Sequence, residues 1–266
     1  MGPFSQALTA LKGSVDEVKS IKGLPAPAIS IQNAVGESLS GILNDGPGFQ
    51  SDVLAGIEPA IQSLERAIEA LQRGVSLEQV TSAIKGVAGT VAKFQGRAAG
   101  LNDMAASAVK LISKAFTELS GVEGEIQSQI ANLQGQAGAA QGEMEAAQKR
   151  YYWLIALGPF GVIGVAAALA LYFTWKKKVS ELQDRVNSLN AQTRSLQALI
   201  NCCKALAGAN GQALQQLTNL KNAVDTTVSD FTEVTRDLDE NVSPAQIELL
   251  LRACVGMLST LQADVS

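Results

Sequence analysis

Apolar residues recur along most of this chain with the spacing of helices that pack side by side. Ile126, Ile130, Leu133, Ala137, Ala140, Met144, Ala147, Tyr151 and Leu154 follow an unbroken 4-3 alternation. Val179, Leu182, Val186, Leu189, Thr193, Leu196, Ile200, Cys203, Ala207, Asn210, Leu214 and Leu217 keep a 3-4 spacing, and Leu220 to Leu238 extend it with small register shifts. Sustained heptads predict long helices sharing an apolar seam. Ser76 followed by Gln79 is a capping-box signature that starts one helix at Leu77 and runs it to Leu157. Its partner is predicted from Val162 to about Asp239, and each is about 120 Å long if straight. Glycines at 86, 89, 96 and 100 are candidate breaks in the first helix. Those at 121, 124, 135, 138 and 142 are expected to allow close backbone approach.

Shorter elements flank this pair. Phe4, Leu8, Leu11, Val15, Val18 and Ile21 mark a first helix that ends at Gly23-Leu24-Pro25-Ala26-Pro27. A second helix is predicted from Ala28 to Leu43, closed by a turn at Asp45-Gly46-Pro47-Gly48. A third covers Val53 to Gln72, with Pro59 kinking it mildly. Ser243-Pro244 is an N-cap with proline at the first helical position, and Ile247, Leu250, Leu251, Cys254, Leu258 and Leu261 form the apolar face that follows. The expected fold is all-α: an elongated bundle of five or six helices built on a long antiparallel helical hairpin.

Between the two long arms the pattern changes. From Tyr151 to Trp175 no residue is charged; Lys149 and Arg150 precede the stretch, and Lys176, Lys177 and Lys178 follow it. Aromatic residues lie at both ends, where amphipathic rings and snorkelling cations suit the headgroup level of a bilayer. Uncharged apolar runs of 18 or more residues are membrane signals. Gly158-Pro159-Phe160-Gly161 interrupts this one, and the missing proline donor with its flanking glycines favours a tight turn. The resulting arms, Tyr151–Leu157 and Val162–Trp175, reach roughly 10 and 20 Å, short of a hydrocarbon core about 30 Å thick. The hairpin tip is therefore expected to enter one leaflet. The alternative is a single-pass coiled-coil protein (sensor, tether or secretion subunit) spanning at 151–175.

Composition narrows the chemistry. The chain is 47% hydrophobic but 17% charged, against about 25% in an average domain. It contains no histidine, which removes the commonest general base and zinc ligand. No phosphate-binding, dinucleotide or metal-ligand motif occurs, so no catalytic, cofactor or metal residues are assigned and an enzyme is not expected. A net charge of −4 argues against nucleic acid. Cys202, Cys203 and Cys254 form no framework; buried thiols are expected, and a Cys203–Cys254 or Cys202–Cys254 bridge stays open. The N-terminus reads as an amphipathic helix with no recognisable signal peptide.

The head from Trp153 to Trp175 around GPFG, set between paired heptad runs, resembles the α-pore-forming toxins of the cytolysin A and haemolysin BL family. Among them it is most similar to the small C component of tripartite Gram-negative toxins. The resemblance implies a secreted soluble protein that becomes associated with a target membrane and lyses cells with other toxin components. The domains expected are a discontinuous helical tail, 1–150 with 176–266, and a membrane-interacting head, 151–175. The membrane-inserting candidates are Trp153, Leu154, Ile155, Leu157, Phe160, Val162, Ile163, Val165, Leu169, Leu171 and Trp175. Gly158, Pro159 and Gly161 make the turn; Lys149, Arg150, Lys176, Lys177 and Lys178 meet headgroups. The head alternates too little to offer one polar face, so its expected role is membrane priming and assembly. Soluble proteins seldom expose large apolar patches, so homo-oligomers that hide the heads are expected in solution. The partners are then a target-cell bilayer and other toxin components.

Overall fold

The computed structural model describes residues 2–74, 77–156, 162–239 and 243–266; within its helices the side chains of 77–79, 151, 154–156, 162–166, 237–239 and 244 are outside that description. The elements are α1 (Pro3–Ser20), α2 (Ala26–Ser38), α3 (Ser40–Gln72), α4 (Leu77–Ala156), α5 (Val162–Asp239) and α6 (Pro244–Val265). No strand occurs among the described residues. The all-α class is as expected, and the two long helices start and stop within a residue of the predicted limits. The Ser76 cap lies outside the described residues. The Ser243 cap is present: its backbone N–H and its hydroxyl both donate to Gln246 Oε1, at 3.3 and 3.0 Å.

Two compact units form. One comprises Met1–Ser20, Gln32–Ala115 and Cys202–Ser266. Within it α3 packs against both α1 and α6, and α1 also touches α6. Ile42, Phe49, Ile57 and Leu64 from α3 are almost fully buried, as are Phe4, Leu11, Ile112, Leu217, Phe231 and Leu258 from the other helices. α4 and α5 are tied across their seam by polar bonds. Gln95 Nε2 donates to Asp225 Oδ1 at 2.8 Å, and Thr218 Oγ1 donates to Asn102 Oδ1 at 2.8 Å. The Lys221 ammonium and the Gln95 amide, both bonded to Asp225, hold its carboxyl below the usual range.

The second unit comprises Ile21–Ile31 and Phe116–Asn201. Along α4 from Ile126 to Ala147 the heptad stripe is what is covered. Ile126, Ala140, Ala147, Leu182 and Val186 are buried, Ile130, Leu133, Ala137 and Met144 are half-buried, and the residues between Ile126 and Ala147 are otherwise exposed save Gln141, which is half-buried. Gln197 Nε2 donates to Glu123 Oε1 at 3.1 Å. The pairs Gln95–Asp225, Asn102–Thr218 and Glu123–Gln197 are each equidistant in sequence from position 160. Antiparallel pairing of α4 with α5 within each unit produces that relation.

Three expectations are corrected. The Asp45–Gly48 turn does not form; α3 runs through Pro47, and the chain breaks at Leu39 instead. The burial of Ile42, Gly46, Phe49 and Val53 explains this, because a continuous helix keeps that 4-3-4 stripe on one face. Gly46 serves packing, since a Cβ there would lie 2.9 Å from Leu8 Cδ2. Second, Gly86, Gly89, Gly96 and Gly100 do not interrupt α4. Third, among the described residues Gly121, Gly124, Gly135, Gly138 and Gly142 mediate no close approach, because a Cβ on any of them meets nothing within 4 Å there. Where left-handed backbone is required, glycine supplies it: Gly23 at φ 73° links α1 to α2, and Gly74 at φ 75° ends α3.

All three cysteines are free. Burial pushes the thiols of Cys203 and Cys254 up to about 11, with the Cys202 thiol and the Asp230 charge as lesser causes. Folded-state values above the unfolded one (about 8.5) mean that the stabilisation is complete below pH 8.5 and is lost toward pH 11. At pH 8 an aromatic disulfide reagent is expected to label half-buried Cys202 at least ~10-fold faster than the other two. Peptide mass spectrometry reads this, and equal rates would contradict the packing described.

Candidate membrane-interacting head

The second unit brings together the described part of the uncharged segment. On the last turns of α4, Tyr152 and Trp153 are 60% and 64% exposed; on α5, Leu171 and Phe173 are 46% and 55% exposed. Large apolar side chains are mostly buried elsewhere among the described residues, so four exposed ones within positions 152–173 stand out. Gln148, Tyr152, Leu169, Tyr172 and Phe173 line a small depression of ≈ 160 Å³. The Tyr172 and Phe173 rings meet edge-on at 5.5 Å and 70°.

The cations form a collar. Lys149, Arg150, Lys176, Lys177 and Lys178 are exposed. Among the described residues, Lys149, Arg150 and Lys176 meet no carboxylate, and Lys177 Nζ lies 3.7 Å from Glu181 in a solvated pair that contributes little. Lys178 Nζ sits 4.7 Å above the half-buried Trp175 ring. One helical turn separates them, so ring and ammonium occupy one level along α5. That combination suits the boundary between headgroups and acyl chains.

Each candidate has a definite place. Trp153 and Leu171 are exposed, whereas Leu169 and Trp175 are half-buried. Leu154 and Ile155 lie in the last turn of α4, and Val162, Ile163 and Val165 in the first turns of α5, with side chains outside the description. Leu157, Gly158, Pro159, Phe160 and Gly161 fall outside the described residues. Tyr152 and Phe173 were absent from the predicted inserting set and are as exposed as its members. Their aromatic character was visible in the sequence; which helix face they occupy was not. Among the described residues no group of acidic or thiol side chains is placed to hold a metal ion, and no helix is long and apolar enough to cross a membrane.

Solved structures define the class of fold: an all-helical architecture found among components of α-pore-forming toxins, matched over the whole of this chain. Soluble AhlC of the tripartite α-pore-forming toxin AHL from Aeromonas hydrophila aligns at TM-score 0.77 and 24% identity, covering 100% of this chain and 98% of its own. The pre-pore AhlB of the same toxin gives TM-score 0.82 at 15% identity, covering 100% and 93%. XaxA from Xenorhabdus nematophila gives 0.68 at 12%, covering 100% and 95%. At these identities the likeness is one of fold. No protein-family model matches the chain, and no curated protein matches it.

Proposed function

We propose that this chain is a component of a secreted, multi-component α-helical pore-forming toxin, with residues 151–175 as a head that enters one leaflet of a target membrane and promotes pore assembly and lysis. The observation that carries the reading is the exposure of Tyr152, Trp153, Leu171 and Phe173, large apolar or aromatic side chains flanked in sequence by five exposed cations, on two helices that pair antiparallel. Transfer of apolar surface to lipid is favourable by about 25 cal/mol per Å². Each cation near an anionic surface adds roughly 1 kcal/mol.

Residues 1–150 and 176–266 then act as the tail that presents the head and meets the other components. A fold shared over the full chain with components of tripartite toxins supports this assignment. Oligomers in solution would keep the heads from water until lipid replaces the contact. A constitutive single span would put 1–150 and 176–266 on opposite sides of a bilayer. Side-by-side pairing such as Glu123–Gln197 favours flanks that stay together.

Dye release from liposomes tests the reading. The chain alone is expected to bind vesicles with little release, and addition of the culture supernatant that supplies other components should raise release at least ~10-fold. Absence of vesicle binding, with and without supernatant, would overturn it.

A further inference from the structure

The α4–α5 seam in the first unit contains one layer that is built poorly. Asn210 is wholly buried. Its Nδ2 donates to the carbonyl of Ala105 at 3.1 Å, but its Oδ1 has no partner among the described residues. An orphaned buried acceptor carries its full desolvation penalty. Flipping the carboxamide would only set that oxygen against the Ala105 carbonyl.

Two independent features coincide with it. Gly208 and Gly211 lie two residues before and one after Asn210, inside α5, and a Cβ on either meets nothing within 4 Å. Each lowers helix stability by roughly 1 kcal/mol relative to alanine, and neither allows a close contact in return. The α5 side of the layer is also thin: 205–213 carries one large apolar side chain, Leu206, and the mirror relation about 160 sets this stretch against 107–115 of α4, where Ala108, Ile112 and Ala115 are buried. Farther along α5, Leu217, Leu220 and Val224 restore a dense seam.

We infer that residues 205–213 of α5 form a built-in hinge, at which this helix bends and parts from α4 at far lower cost than in the turns after it. Low propensity, thin packing and an unsatisfied acceptor act in the same direction and on the same three turns. Local opening free energies vary across a fold for these reasons, and hinges absorb backbone change at a few such positions. The hinge goes beyond the reading of the head and stands without it. Its consequence, that the tail gives way here when the head meets lipid, rests on that reading.

Hydrogen exchange on the full chain in solution, read by mass spectrometry, tests the hinge without any membrane. Amides of 205–213 are expected to exchange at least ~10-fold faster than those of 217–224. Gly208→Ala with Gly211→Ala, both in open space, should slow them by roughly 10-fold or more. Asn210→Leu should also slow them and raise the melting temperature by a few degrees. Uniform exchange in the wild type would overturn the hinge. So would unchanged rates in the double alanine variant, or a lowered melting temperature in Asn210→Leu, because the carboxamide would then be satisfied.

Discussion

Leu171→Asp and Phe173→Asp variants are expected to bind liposomes on the order of 10-fold more weakly than the wild type while keeping its helical circular dichroism. In water these substitutions touch little, since both side chains are about half exposed and surface changes of this kind are usually within about 0.5 kcal/mol. In a bilayer the sign of the effect is set by transfer. An aspartate costs up to about 2.5–3.5 kcal/mol at the centre of a membrane-inserted helix and less toward the headgroup level, where these positions lie, and the lost leucine or phenylalanine adds a few tenths. A loss of about 1.4 kcal/mol is a factor of about 10 in partitioning. Leu249 provides the control. It is 69% exposed on α6, more than either head residue, yet it belongs to the first unit and lies far from the uncharged segment in sequence. Leu249→Asp should leave binding unchanged. Vesicle flotation of all three variants reads the difference, and undiminished binding by both head variants would reject the head assignment.

The long helices were legible because their signal is repetitive. Ile126, Ala140 and Ala147 recur on one face, and the structure buries that face while leaving the intervening glutamines and glycines mostly in water. A seam of this kind depends only on spacing, so its ends, Leu77–Ala156 and Val162–Asp239, could be read directly. Local turn chemistry was the poorer guide. Asp45-Gly46-Pro47-Gly48 has every feature of a turn, but whether it turns is decided by Phe4 and Leu8, some forty residues earlier in the chain. The glycines of α4 misled for the opposite reason. Small residues permit close approach, and nothing in the described structure approaches them. For residues 151–175 hydropathy marks an uncharged segment, whereas the exposure of Tyr152 and Phe173 depends on how α4 and α5 are rotated about their axes.

Phe49→Ala should be the most destabilising single substitution in the first unit. The ring is 1% exposed, meets Phe4 edge-on at 6.1 Å and 87°, and lies beneath the Arg97 guanidinium carbon at 5.6 Å. Truncating a buried phenylalanine costs about 3–5 kcal/mol, a large share of the roughly 5–15 kcal/mol that holds a typical domain together. A fall of about 10 °C in the thermal midpoint follows for a unit of this size. Phe49→Leu, which keeps most of the volume, should cost less than about 1.5 kcal/mol. Arg97→Ala should cost less still: its ion pair with Asp52 is exposed, at 41% and 61% for the two side chains, and such pairs contribute about 0–1 kcal/mol. The same substitution probes why α3 passes through Pro47. A proline inside a helix costs about 3 kcal/mol or more, and burial of Phe49 two residues later helps to offset it. With the ring removed, the Asp45–Gly48 segment should revert toward the turn its composition favours. Amides 44–52 would then lose protection from hydrogen exchange before the rest of α3 does. A Phe49→Ala melt within 2 °C of wild type (under about 1 kcal/mol), or full protection at 44–52, would show that the stripe from Ile42 to Val53 does not hold the helix.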